Sequence, residues 1–141
     1  MKKKKFIIIA LLLAIMILIG LKIYKPAGKT GNTEIVSVSS QQFSAEDFEK
    51  ATEAIKKYFS REFRDCELIK LEYVGDEANS SVQYEYLKDQ YGIDEWIVFN
   101  MVFKVGKRYN PSYNSNSTQE MKIIFGRKTG EDWKYLDAGR P

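Results

Sequence analysis

Histidine is absent from this chain, and cysteine occurs once, at Cys66. Without imidazole there is no Ser-His-Asp or Cys-His triad, no histidine-containing zinc site, and no side chain whose ordinary pKa of about 6.5 makes a switch near neutral pH. A single thiol excludes an intrachain disulfide and a four-cysteine zinc site. A metal would need an all-oxygen site. None is expected, because the acidic run from Asp89 to Asp94 lacks the Asp-x-Asp-x-Asp-Gly spacing of a calcium loop. Catalysis would have to run on Asp, Glu, Tyr, Lys, Ser or Thr. Glu72 and Glu85 fall on the polar sides of their runs and most other acids fall in turns, with Glu120 and Asp137 the least easily dismissed. No catalytic residue, and no cofactor, is therefore expected. A length of 141 residues allows one domain beyond any targeting segment.

Acidic residues are also missing from the first 25 positions, which hold six of the 22 basic residues and none of the 19 acids. The other 116 residues carry a formal charge of −3, so the sequence pI of about 8.8 belongs to the N-terminus. That distribution opposes a nucleic-acid surface, which needs a basic patch on the folded domain itself.

Lys2 to Lys5 precede an uncharged run from Phe6 to Leu21, followed by Lys22 and Lys25. At about 1.5 Å per residue, the stretch from Phe6 to Tyr24 would cover roughly 28 Å, close to a ~30 Å hydrocarbon core, with Lys22 snorkelling outward. The expectation is a transmembrane signal-anchor over residues 1–25. It makes a single-pass protein of the cell membrane, with its N-terminus cytoplasmic and its domain outside. The alternative is a signal peptide cleaved near Ala27, which would give a secreted form. Residues 26–43, rich in Gly, Ser, Thr and Gln, read as a flexible linker, with Ile35, Val36 and Val38 allowing a short edge strand.

Residues 44–141 read as an extracytoplasmic α+β domain. Ser44 is suited to cap a helix with Asp47 at N3, and Phe43 can staple onto Phe48. Phe48, Ala51, Ile55, Phe59 and Phe63 then recur at spacings of three and four, giving an amphipathic helix of about five turns. Five β-rich runs follow at Glu67–Val74, Ser81–Lys88, Glu95–Val105, Gln119–Arg127 and Trp133–Asp137, separated by Gly, Asn, Asp and Pro. No second long helical pattern interrupts them, so the expected fold is one long helix packed on a curved antiparallel meander of four to five strands. Alternation places Ile69, Leu71 and Tyr73 together, then Val82, Tyr84 and Tyr86, then Ile97 to Val105, then Met121, Ile123 and Phe125. The third run is apolar on both faces and should be central.

The helix end Tyr58-Phe59-Ser60-Arg61-Glu62-Phe63 and the closing run Gly130-Glu131-Asp132-Trp133-Lys134-Tyr135-Leu136-Asp137-Ala138-Gly139 resemble the small exported cystatin-like or NTF2-like proteins of Gram-positive bacteria. The resemblance covers about Phe43 to Gly139. It implies an architecture shared by many members without known activity, and the chain departs from the fuller pattern in having one long helix instead of two or three.

Two candidate sites follow. An apolar cone between helix and sheet, lined by Tyr73, Tyr84, Tyr86, Phe99 and Phe103, would take a small ligand, unless those rings simply fill the core. The loop containing Arg108, Tyr109 and Tyr113 has the Tyr, Asn and Ser content of recognition loops, and equally of plain mobile ones. Cys66 reads as a small buried hydrophobe. The expected function is a membrane-anchored, non-catalytic binding or assembly module with an envelope protein partner. The alternative is a small-molecule carrier, or an isomerase-like enzyme, using the cone.

Overall fold

The computed structural model describes residues 2–36, 38–107 and 113–139. In chain order it contains α1 (Lys2–Ile23), β1 (Glu34–Val36), α2 (Ala45–Glu62), β2 (Cys66–Tyr73), α3 (Asp76–Asn79), a 3₁₀ turn (Val82–Tyr84), α4 (Tyr86–Tyr91), β3 (Glu95–Val105), β4 (Thr118–Arg127) and β5 (Lys134–Gly139).

The expected membrane span is corrected. α1 stops at Ile23, so Tyr24 lies outside it. Its uncharged run ends at Leu21, and the 16 residues from Phe6 rise only about 24 Å, short of a ~30 Å core. Among the described residues, no helix is long and apolar enough to cross a membrane. The transmembrane and signal-anchor assignment, the single-span membrane partnership and the single-pass location at the cell membrane are withdrawn with it.

The fold class is corrected as well. The strands form a five-stranded sheet in the order β1-β2-β3-β4-β5, and the sheet is mixed, because β1 runs parallel to β2 while the other pairs are antiparallel. The run Ser81–Lys88 is not a strand. Its residues form the 3₁₀ turn and the start of α4, which ends on Gly92 in the left-handed region at φ 61°. Helical spacing buries Tyr84 and Leu87, three apart, and leaves Val82 and Tyr86 78% and 46% exposed. A short apolar run fits either period, and here the period near 3.6 prevails.

α2 starts where its capping chemistry dictates. The Asp47 N–H donates to the Ser44 hydroxyl at 3.1 Å, and the Ser44 N–H donates to the Asp47 carboxylate at 3.0 Å. Phe43 meets Phe48 edge to face, with centroids 6.0 Å apart. Ala51, Ile55 and Phe59 of α2 share a buried cluster with Leu68, Leu71, Phe99, Met101, Phe103 and Ile123 from the sheet. A smaller cluster on the other side joins Tyr84 and Leu87 to Val98 and Ile124. The two clusters explain why β3, central in the sheet, is apolar on both faces.

In β2 the register slips between Leu68 and Lys70. The extra residue inverts the alternation, so Leu68, Leu71 and Tyr73 are buried whereas Ile69 is 40% exposed. The segment read as a linker is tied to the domain. Gly28 N–H donates to Ser60 C=O at 2.9 Å, Lys29 N–H to Cys66 C=O at 2.8 Å, and Leu68 N–H to Lys29 C=O at 2.8 Å. A Cβ on Gly28 would fall 2.7 Å from the Phe63 carbonyl oxygen, so this close approach needs glycine.

Candidate functional site

The structure does not bring the five cone residues together. Tyr73, Phe99 and Phe103 are buried in the larger cluster, where rings occupy the space between α2 and the sheet. Tyr73 lies 5.0 Å from Phe48 and 5.9 Å from Phe99, and Phe103 lies 5.9 Å from Phe59 and 5.1 Å from Phe63. Tyr84 belongs to the second cluster, and Tyr86 is half-exposed because its segment is helical. In the loop, Arg108 and Tyr109 lie outside the described residues. Tyr113 packs against the core, with its ring 6.4 Å from that of Phe103.

Two groups available for chemistry, Asp76 and Tyr73, are bound into a structural tie. The Asp76 carboxylate accepts the Ser40 hydroxyl at 2.6 Å, the Gln41 N–H at 2.7 Å and the Tyr73 hydroxyl at 2.9 Å. The Ser40 bond, then that of Gln41, holds Asp76 below the usual carboxylate range. Burial, then donation to Asp76, pushes the Tyr73 phenol up. The pair therefore keeps its protons fixed at neutral pH and pins the segment before α2 to α3. Cys66 is buried, and burial pushes its thiol up to about 11 against the opposing hydrogen bond from Gly106. Glu120 and Asp137 are exposed.

Asn79, in the short segment between β2 and the 3₁₀ turn, is a structural residue. It is only 3% exposed. Its side-chain amide donates to the Trp96 carbonyl at 3.1 Å and to Gln42 Oε1 at 3.2 Å, and its oxygen accepts Val98 N–H at 2.9 Å. The Trp96 indole N–H donates back to the Asn79 carbonyl at 2.8 Å. Asn79 thus joins α3, β3 and the segment before α2, beside a cleft of about 430 Å³ that also contains Lys88, its ammonium 5.4 Å from the Trp96 ring centre. Only the position of Asn79 after Gly75 and Asp76 hinted at it, and that reads equally as a solvent turn.

Arg127 is the second such residue. Its guanidinium donates to Glu95 at 2.6 Å and to Asp47 at 2.7 Å, and lies 4.2 Å from the Trp133 ring centre. Burial opposes its charge, but the bonds to Glu95 and Asp47 outweigh it and raise its pKa. Burial likewise opposes ionisation of Asp47, and the Ser44 hydroxyl and N–H, with Arg127, hold that carboxyl below its ordinary value. One arginine therefore fastens the first turn of α2 to the sheet.

Beyond Trp133 the surface opens into a groove of about 430 Å³ between α2 and β5. The Tyr58 and Tyr135 rings stack there, 4.1 Å apart and 8° from parallel. Burial and the hydrogen bond to Tyr135 push the Tyr58 phenol up, so it stays protonated. Lys57, Arg61 and Lys134 line the same groove. Along it runs β5, paired with β4 on one side and, among the described residues, with no strand on the other.

Comparison of the chain with protein-family models, curated proteins and solved structures gives no match.

Proposed function

We propose that this chain is a non-catalytic binding or assembly module whose contact surface is the β5 edge and the groove beside it. The observation that carries this reading is the side of β5 that has no strand against it among the described residues, six residues long and bordered by an aromatic and cationic groove. An unpaired edge presents main-chain donors and acceptors to which an extended segment can add as a further strand. The other edge strand, β1, has three residues. The filled aromatic core favours this surface over an internal ligand site. The test is a photo-activatable residue placed at Tyr135, and separately at exposed Gln90 of α4, in the chain expressed in its source cell. The expected result is a discrete protein adduct at Tyr135 and none at Gln90. No adduct at Tyr135, or equal adducts at both, would overturn the reading.

A further inference from the structure

Resting on the binding-module reading, we infer that β5 receives an extended acidic peptide from a partner protein as a sixth strand. The peptide's carboxylates would meet Lys57, Arg61 and Lys134, and its apolar side chains would lie on the Tyr58–Tyr135 stack. Three independent observations converge on that occupant.

The first is the edge itself. β5 is joined to β4 from Gly126↔Lys134 to Lys122↔Gly139 with one bulge, the Ala138 N–H donates to the Asp137 carboxylate at 2.8 Å, and among the described residues no strand lies on its other side. Main-chain pairing supplies affinity for an extended peptide whatever its sequence, and the neighbouring side chains then select among peptides. Leu136, the extra residue of a bulge opposite Ile124 and Phe125, packs against the second cluster, while Tyr135 lies over the α2 side against Tyr58.

The second is charge. Every charged side chain lining the groove is a cation, on a body whose residues 26–141 sum to −3. The cationic lining is therefore a local feature and not a consequence of composition. Arg61 and Lys134 pair with Glu62 and Glu131 at 2.6 and 3.6 Å, and both pairs are exposed. Such pairs contribute little to stability, so an incoming carboxylate can displace them. Lys57 makes no ion pair among the described residues.

The third is a rigid apolar floor. Tyr58 and Tyr135 both stand edge-on to Phe125, at 5.9 and 6.0 Å, and the Arg61 guanidinium lies 5.8 Å from the Tyr58 ring centre. Side chains held in this way lose little freedom when a partner arrives.

The experiment titrates the whole chain, kept soluble in mild detergent because α1 exposes apolar side chains, with a capped peptide that alternates Glu and Val. Amide NMR shifts and hydrogen exchange locate the binding. The expected result is saturable binding, with shifts and new protection on β5. A Lys/Val peptide, or Lys57→Glu with Arg61→Glu, should weaken binding by about tenfold or more, and N-methylation of alternate peptide nitrogens should abolish it. Equal binding of the Lys/Val peptide, or indifference to N-methylation, would overturn the inference. So would protection of β5 that grows with protein concentration alone, which would make a second copy the occupant. Binding mapped elsewhere would overturn this partner assignment while leaving the binding-module reading to the cross-linking test.

Discussion

Replacing Asn79 by Ala tests how the sheet is fastened to the segments around it. The substitution removes the acceptor of Val98 N–H and a donor to the Trp96 carbonyl, in a place where Val98 is fully buried. A buried N–H without a partner costs about 1–3 kcal/mol, and weakening the second bond adds about 1 kcal/mol, giving a loss of about 2–4 kcal/mol. For a chain of this size that lowers Tm by on the order of 10 °C. Urea unfolding, followed by far-UV circular dichroism and by fluorescence of the adjacent Trp96, reads the loss directly. Asn79→Asp sharpens the test, because a carboxylate keeps the acceptor for Val98 N–H but faces the Trp96 carbonyl without a donor. Burial should raise that carboxyl's pKa in the folded state, so its penalty is small at low pH and grows as pH rises through the folded pKa. Asn79→Ala costing under about 1 kcal/mol, or an Asn79→Asp penalty relative to wild type that does not change with pH, would refute the role assigned to Asn79.

Gly106→Ala would set a Cβ 1.7 Å from the Asp65 carbonyl oxygen, whereas Gly139 has open space; thermal melting should show a loss of about 1–3 kcal/mol or more for the first and almost none for the second. Arg127→Met should cost about 1–3 kcal/mol and cost less in an Asp47→Ala background, since both changes break the same tie; strict additivity in a double-mutant cycle would contradict that coupling. With its thiol pushed up to about 11 from 9.0, Cys66 should react with a thiol reagent at pH 8 about 100-fold more slowly in the folded chain than in urea. The raised pKa also means that its contribution to stability is complete below about pH 9 and is lost as pH climbs towards 11, and a flat melting profile over that range would contradict it.

What the sequence discloses about this fold is local. Ser44, Asp47 and the Phe43–Phe48 staple announce the start of α2, because a cap needs only residues three or four apart. The alternation of β3 and β4 survives into the structure because both strands pair over long, unbroken registers. The bulge in β2 is invisible beforehand, since one inserted residue exchanges Ile69 for Leu68 without changing composition. The helical reading of Val82 to Tyr91 depends on packing Tyr84 and Leu87 against Val98 and Ile124, contacts that no short window contains. The parallel pairing of β1 likewise depends on its contact with β2, far along the chain.

The candidate groove is only partly visible in the sequence. The abundance of aromatic residues was legible, but the rings with the greatest burial fill the core, and the exposed platform comes from Tyr58 and Tyr135, which lie 77 positions apart in sequence. Lys57 and Arg61 read simply as the solvated side of a helix until β5 is placed beside them. Arg127 could not be identified as a tie, because its partners Asp47 and Glu95 are remote in sequence and only the folded sheet brings them within 2.7 Å.

Residue-resolved hydrogen exchange on the isolated whole chain tests the central claim most directly. The account predicts strong protection of Ile123, Ile124 and Phe125 in β4, and a pattern in β5 in which amides facing β4 are protected and those facing outward exchange rapidly. Uniform protection of every β5 amide in the isolated monomer would mean that the edge is already covered, and would contradict the account.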